Sequence, residues 1–159
     1  MKAMAELLVQ FPRDGRVEWI GIRPARREPL RAVETVEITE TGLAGDHRSK
    51  PGKRAVTLIQ AEHLPVIERL CGLEEVDPAT LRRNILVSDI NLMALKGREF
   101  DIGSATLRGV DPCAPCSRME ELLGPGGYNA MRGHGGITAE VLTPGTVCVG
   151  DAISAIKPD

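Results

Sequence analysis

Apolar positions along this chain come in short bursts rather than long stripes. Val17–Ile22 and Val33–Thr39 are rich in β-branched residues and partly alternate apolar with polar, which predicts strands. Turn formers bound both: Asp14-Gly15 before the first, Pro24 and Pro29 between them, and Gly42 after the second. Arg54–Gln60 (RAVTLIQ) and Asn84–Ser88 (NILVS) read as further strands, the second of them buried. Glu99–Ile102 and Ala105–Val110, joined by Gly103-Ser104, read as a hairpin, and Thr138–Leu142, Thr146–Val149 and Ala152–Ile156 follow.

Helical spacing is rarer. Leu64, Ile67, Leu70 and Cys71 predict a helix over Ala61–Leu70 that Gly72 ends, with Pro65 tolerated in the first turn. Asp77-Pro78 caps a helical turn through Leu81. After Pro112, Cys113–Leu123 forms a short helix with Met119, Leu122 and Leu123 on one face. Seven to nine short strands with two or three short helices predict a mainly β, barrel-like fold. Strands and helices alternate in too few places for a doubly wound α/β sheet. No internal repeat or linker-like tract divides residues 1–159, so the expectation is one domain with its core over about residues 17–155.

Composition narrows the function. Seventeen glycines and eleven prolines in 159 residues exceed average usage and suit a chain of many turns. The aromatics are Phe11, Trp19, Phe100 and Tyr128, too few to build stacking platforms for single-stranded nucleic acid. A net charge of −2 gives no general field for a polyanion. Nucleic acid is therefore not an expected partner. No apolar run approaches the roughly 18 residues of a membrane span, and MKAMAELLVQF does not read as a signal peptide. A cytoplasmic location, no membrane partner and free thiols at Cys71, Cys113, Cys116 and Cys148 are the expectation.

Four local features could carry chemistry. In Asp111-Pro112-Cys113-Ala114-Pro115-Cys116-Ser117-Arg118, a C-x-x-C pair follows a strand and opens a helix, where the helix dipole favours a thiolate. Three uses are open: half of a zinc site, a thioredoxin-type dithiol, or two packed cysteines. In Gly42-Leu43-Ala44-Gly45-Asp46-His47-Arg48, glycine turns could gather amides into an anion nest, with Arg48, Lys50, Lys53 and Arg54 adding charge. The alternative is a solvated basic loop. In Leu81-Arg82-Arg83-Asn84-Ile85, strand alternation would put Arg82 and Asn84 on one face, suited to a phosphate or a heterocycle edge, and Arg83 on the other. It could equally be a surface pair beside a turn residue. Gly133-His134-Gly135-Gly136 would let backbone approach a ligand closely. Cys71 and Cys148 read as core residues.

In this order the pieces resemble the MOSC family, the domain named after the C-terminal part of molybdenum cofactor sulfurases. The resemblance rests on Gly42–His47, Ala55–Ile59, Arg82–Ile85, Leu92–Gly97, Asp101–Gly103, Pro112–Arg118, Gly135–Ile137 and Gly145 to Asp151, and spans about residues 17–155. It implies a barrel-like fold that binds the pterin-dithiolene molybdenum cofactor (molybdopterin) or a sulfur species. The family's metal-coordinating cysteine falls on Cys116, as catalytic residue and metal ligand. Gly45, Asp46, His47, Arg48, Arg82, Asn84, Cys113 and Arg118 are the implied cofactor-binding set. The resemblance carries no PLP site into this chain. A Lys-Ser cofactor contact of the family does not transfer either, because Ile22–Leu30 offers Arg23, Arg26 and Arg27 instead.

Three functions follow. The first is a molybdenum-dependent reductase of N-hydroxylated compounds, a small-molecule substrate class, fed by an electron-donor protein. The second is a sulfur carrier, with a persulfide on Cys116 received from a cysteine desulfurase and resolved by Cys113. The third is a small anion-binding β-barrel with structural cysteines.

Overall fold

The computed structural model describes residues 1–47 and 50–159. Eleven strands appear among them: β1 Gly15–Ile22, β2 Arg31–Val33, β3 Thr35–Thr39, β4 Gly42–Leu43, β5 Val56–Gln60, β6 Ile85–Ser88, β7 Glu99–Ile102, β8 Ala105–Pro112, β9 Ile137–Thr143, β10 Gly145–Cys148 and β11 Ala152–Ala155. Seven of these close into a barrel in the order β1-β6-β5-β9-β8-β7-β11, with β11 returning to β1. Closure removes the exposed edges that an open sheet of this length would carry. The mainly β, barrel-like expectation therefore holds.

Only the β5–β6 pair in the barrel is parallel. A parallel pair needs a long crossover, and residues 61–84 supply it with a 3-10 turn at Ala61–His63, a helix at Leu64–Cys71 and a 3-10 turn at Pro78–Leu81. Asp77 caps the last turn, its carboxylate accepting from the Ala79 amide at 2.9 Å.

Four α-helices are present among the described residues: α1 Met4–Leu8, α2 Leu64–Cys71, α3 Ser117–Leu123 and α4 Gly127–Met131. The first and last were not expected. In α4 the cap is remote in sequence: the Glu120 carboxylate accepts from the amides of Gly126 (2.9 Å) and Tyr128 (3.0 Å).

The stretch read as one strand, Val33–Thr39, is two. The Glu34 carbonyl accepts from the Val149 amide, and the chain leaves the barrel sheet there, where β2 extends β1, to join a small β10-β3-β4 sheet.

The core has two parts. Inside the barrel, Val17, Ile20, Leu58, Ile85, Val87, Phe100, Leu107, Ile137 and Ile153 are fully buried. A second cluster outside it joins Ile59 and Leu86, from β5 and β6, to Ile67 of α2, Met119 and Leu123 of α3 and Met131 of α4. The second cluster clamps α3, which begins directly after Cys116, onto the barrel wall. Leu70 and Leu122, assigned to apolar faces by their spacing, are instead exposed.

Candidate functional site

Where β1 ends and β5 and β6 begin, the connecting loops converge on a cleft of about 790 Å³. Its lining is Arg23, Arg26 and Arg27 from the loop after β1, His47 and Lys50 from the loop before β5, Arg82 before β6, and Arg118 on α3. Every lining residue is a base. Among the described residues only Arg118 has a carboxylate partner, Glu121 at 2.9 Å, and that pair is exposed.

Arg23 is held in place from both sides. Its amide donates to the Asp46 carboxylate at 2.7 Å, and its carbonyl accepts from the His47 amide at 2.6 Å. Its Nη1 is buried, with no hydrogen-bond partner among the described residues. A buried guanidinium nitrogen left unpaired is costly, on the order of 1–3 kcal/mol or more.

Arg82 enters the cleft on a strained backbone. Its φ of 59° and ψ of 32° lie in the left-handed region that a residue with a Cβ rarely adopts. Such strain persists where surrounding structure fixes it and clusters at functional sites. The fixing group is its neighbour. Arg83 is buried and donates to three carbonyls: Gly135 at 2.9 Å, Leu81 at 3.1 Å and Ala114 at 3.4 Å. One guanidinium thus ties the turn before Arg82 to the glycine loop and to the cysteine segment.

This geometry corrects the expected pairing of Arg82 with Asn84. The strand begins only at Ile85, and Asn84 is buried with its amide hydrogen-bonded inside the fold. Its Oδ1 accepts from the Thr57 hydroxyl at 3.1 Å, and its Nδ2 donates to the Gly21 carbonyl at 3.2 Å. Asn84 joins β1, β5 and β6 through these bonds.

The anion nest is corrected too. The amides of Ala44, Asp46 and His47 are each bonded to protein carbonyls, of Glu37, Leu43 and Arg23 respectively. The loop contributes positioned side chains instead: Gly45 turns the chain beside Ile22, Asp46 clamps Arg23, and His47 lines the cleft. Arg48 lies outside the described residues.

Glycines 135 and 136 approach protein, not ligand. A Cβ on Gly135 would strike the Cys113 carbonyl, and one on Gly136, at φ +82°, would strike the Leu58 carbonyl. The Gly136 carbonyl also accepts from the Cys113 amide at 2.8 Å. Cys113 is accordingly buried, whereas Cys116 is exposed at the start of α3, two residues before the cleft-lining Arg118. Cys71 and Cys148, expected in the core, are only partly buried. Burial pushes the Cys71 thiol up, and the Cys148 thiol donates to the Thr35 hydroxyl.

His134 sits away from the cleft lining. Its Nδ1 lies 2.9 Å from the Ala130 carbonyl, and its ring meets His63 edge-on at 5.1 Å. Burial and this second ring hold His63 below its usual range, against the pull of Glu62.

Of the residues expected from sequence, the cleft gathers His47, Arg82 and Arg118. Arg23, Arg26, Arg27 and Lys50 join them. The run RPARREPLR after the first strand held the signal for three of these, as a cluster of bases at a strand end. Among the described residues no group of three or more His, Cys, Asp or Glu could hold a metal ion. Cys116 is exposed and is not among the residues that line the cleft. No helix of the described residues is long and apolar enough to cross a membrane.

A small closed barrel with a cationic cleft at one end defines the class. The MOSC domain model matches residues 41–154, and the chain belongs to that family. Solved structures agree on the fold. The YuaD protein from Bacillus subtilis is similar with a TM-score of 0.80 at 20% identity, covering 92% of this chain and 98% of its own. YiiM from Escherichia coli is similar at 0.74 and 20%, covering 93% and 72%. YiiM from Geobacillus stearothermophilus is similar at 0.75 and 18%, covering 90% and 75%. Comparison with curated protein sequences gives no match.

Proposed function

We propose that this MOSC protein binds the pterin-dithiolene molybdenum cofactor, with Cys116 as a ligand to the metal, and reduces N-hydroxylated compounds. The observation that carries the reading is the cleft lined only by bases, among them Arg23, Arg82 and Arg118. The cofactor ends in a phosphate, and Arg23 with Arg82 offers charge-assisted donors for it. The exposed thiol of Cys116, two residues before Arg118 in sequence, would supply the soft, polarizable ligand that such a metal favours.

The bound cofactor would supply the two-electron chemistry at molybdenum that removes the substrate oxygen. The chain's own work is positional. Asp46 and the His47 amide hold Arg23, Arg83 fixes the backbone before Arg82 and the Ala114 carbonyl, and packing of Met119 and Leu123 anchors the helix that Cys116 opens. Electrons come from a separate donor protein, and a cytoplasmic setting suits a free, reduced thiol.

The test is molybdenum and pterin analysis of protein made in a host competent for the cofactor, beside Cys116→Ala. Stoichiometric molybdenum that is lost in the variant supports the reading, together with loss of N-hydroxylated substrate in its presence. No molybdenum, but an added sulfur atom on Cys116 after incubation with a cysteine desulfurase, replaces it with the sulfur-carrier function. Neither signal leaves an anion-binding barrel.

A further inference from the structure

Away from the cleft, two imidazoles meet in a place the proposed function does not use. The chain has three histidines; His47 lines the cleft, and His63 and His134 form a pair of their own. His63 closes the 3-10 turn that leads into α2, and His134 follows α4. Ile67 of α2 and Met131 of α4, both fully buried, lie in one apolar cluster and hold the two segments against each other. The two rings are half-buried, with centroids 5.1 Å apart and planes inclined by 80°.

His134 is fixed in one tautomer. A carbonyl only accepts, so the 2.9 Å contact with the Ala130 carbonyl makes Nδ1 the donor and leaves Nε2 with a bare lone pair. The His134 amide donates to the Met131 carbonyl at 2.8 Å, so backbone and ring are both tied to α4. A metal-ligating histidine is built this way: one ring nitrogen donates to a carbonyl or carboxylate and thereby aims the other. Among the described residues, Nδ1 of His134 is the only ring nitrogen of the pair with a hydrogen-bond partner. Two imidazoles sharing one tetrahedral ion at about 2.0–2.1 Å place their ring centroids about 5 Å apart, which matches this pair. Glu62 adjoins His63. Its carboxylate accepts from Gln60 Nε2 at 2.9 Å and from the Asp89 amide at 2.8 Å, so it adds negative charge without swinging in as a ligand.

We infer that His63 and His134 form a site for a borderline divalent ion of the zinc and nickel class, with water in its remaining positions. Imidazole suits such ions, whereas magnesium and calcium take oxygen ligands. The described residues offer no third His, Cys, Asp or Glu ligand, so the ion exchanges with solution. Bound there, it clips the crossover between β5 and β6 to the glycine loop whose Gly135 carbonyl accepts from Arg83. The inference does not rest on the molybdenum reading and stands or falls separately from it.

Long-range proton–nitrogen NMR spectra of the molybdenum-free protein, titrated with zinc chloride, test it, because three histidines give three sets of ring signals. His63 and His134 should shift together, with one binding curve and ahead of His47. Zinc should enter His134 at Nε2 while the Nδ1 proton is retained. Magnesium chloride at the same concentrations should move neither ring. Zinc should also raise the thermal midpoint. His134→Gln should weaken the zinc response of His63 by about tenfold or more, and His63→Gln should do the same to His134. Should either variant unfold, the spectra of the native protein decide alone. Shifts of His63 and His134 with separate curves, an equal response to magnesium, or no shift of the pair while His47 responds would each overturn the inference. The two rings would then be an edge-to-face packing pair only.

Discussion

Two regions of this barrel treat arginine in opposite ways. On the wall formed by β7, β8 and β9, Arg108 lies between Glu99 and Glu140, 3.1 Å from each. Arg13 likewise meets Asp89 at 3.0 Å, and Lys96 faces Asp111 at 3.8 Å. In the cleft, Arg23, Arg26, Arg27, Lys50 and Arg82 have no ion-pair partner among the described residues. Acids are not scarce, since the chain carries 22 against 20 bases. The difference is therefore one of placement. Paired surface ions are worth about 0–1 kcal/mol and serve the fold weakly. Unpaired, converging ones oppose the fold through repulsion, and their compensation comes from what they bind.

Substitutions in the two regions should therefore behave differently. The largest effect is expected from Cys116→Ala. Molybdenum content should fall from stoichiometric to none, while the unfolding free energy of the metal-free protein stays within about 0.5 kcal/mol, because the thiol is exposed. Arg23→Gln should weaken phosphate binding by about 1.5–3 kcal/mol, the range for a charged hydrogen bond, as read by calorimetry. Arg82→Gly should separate stability from binding. Release of the left-handed strain raises the denaturation midpoint, by roughly 1 kcal/mol in free energy, while phosphate affinity falls. On the paired wall, Arg108→Ala should cost at most about 1 kcal/mol in chemical denaturation and leave phosphate affinity untouched.

The smallest effect concerns pH and lies outside the cleft. His63 titrates below its usual 6.5 because of burial and the nearby His134 ring. As pH falls through about 6.5, the unfolded chain takes up a proton that the folded one still refuses. Stability then declines down to the lower folded value and is flat beneath it. His63→Gln should remove that part of the decline from thermal melts across this window.

Much of the barrel was legible because its strands are short, apolar and fenced by glycine and proline. The hairpin of β7 and β8, the Asp77-capped turn and the end of α2 at Gly72 all follow local rules. What local rules cannot see is closure: the break at Glu34 depends on a hydrogen bond from Val149, and α4 depends on Glu120. The site was half legible for the same reason. His47, Arg82 and Arg118 could be named from motifs, but strand alternation misassigned Asn84, because a left-handed Arg82 shifts the phase. Arg23, Arg26 and Arg27 were visible as charge and became a site only when the loop after β1 met the loop before β5.

The central claim is that the cleft's cations are left unpaired for an anionic ligand. Thermal unfolding of the metal-free protein against pyrophosphate concentration tests it most directly, with Arg23→Gln and Arg108→Ala alongside. A ligand that binds only the folded state raises the midpoint with the logarithm of its concentration once it exceeds Kd. The native protein and Arg108→Ala should rise together, and Arg23→Gln should lag. Equal shifts in all three proteins, or none in the native one, would contradict the claim.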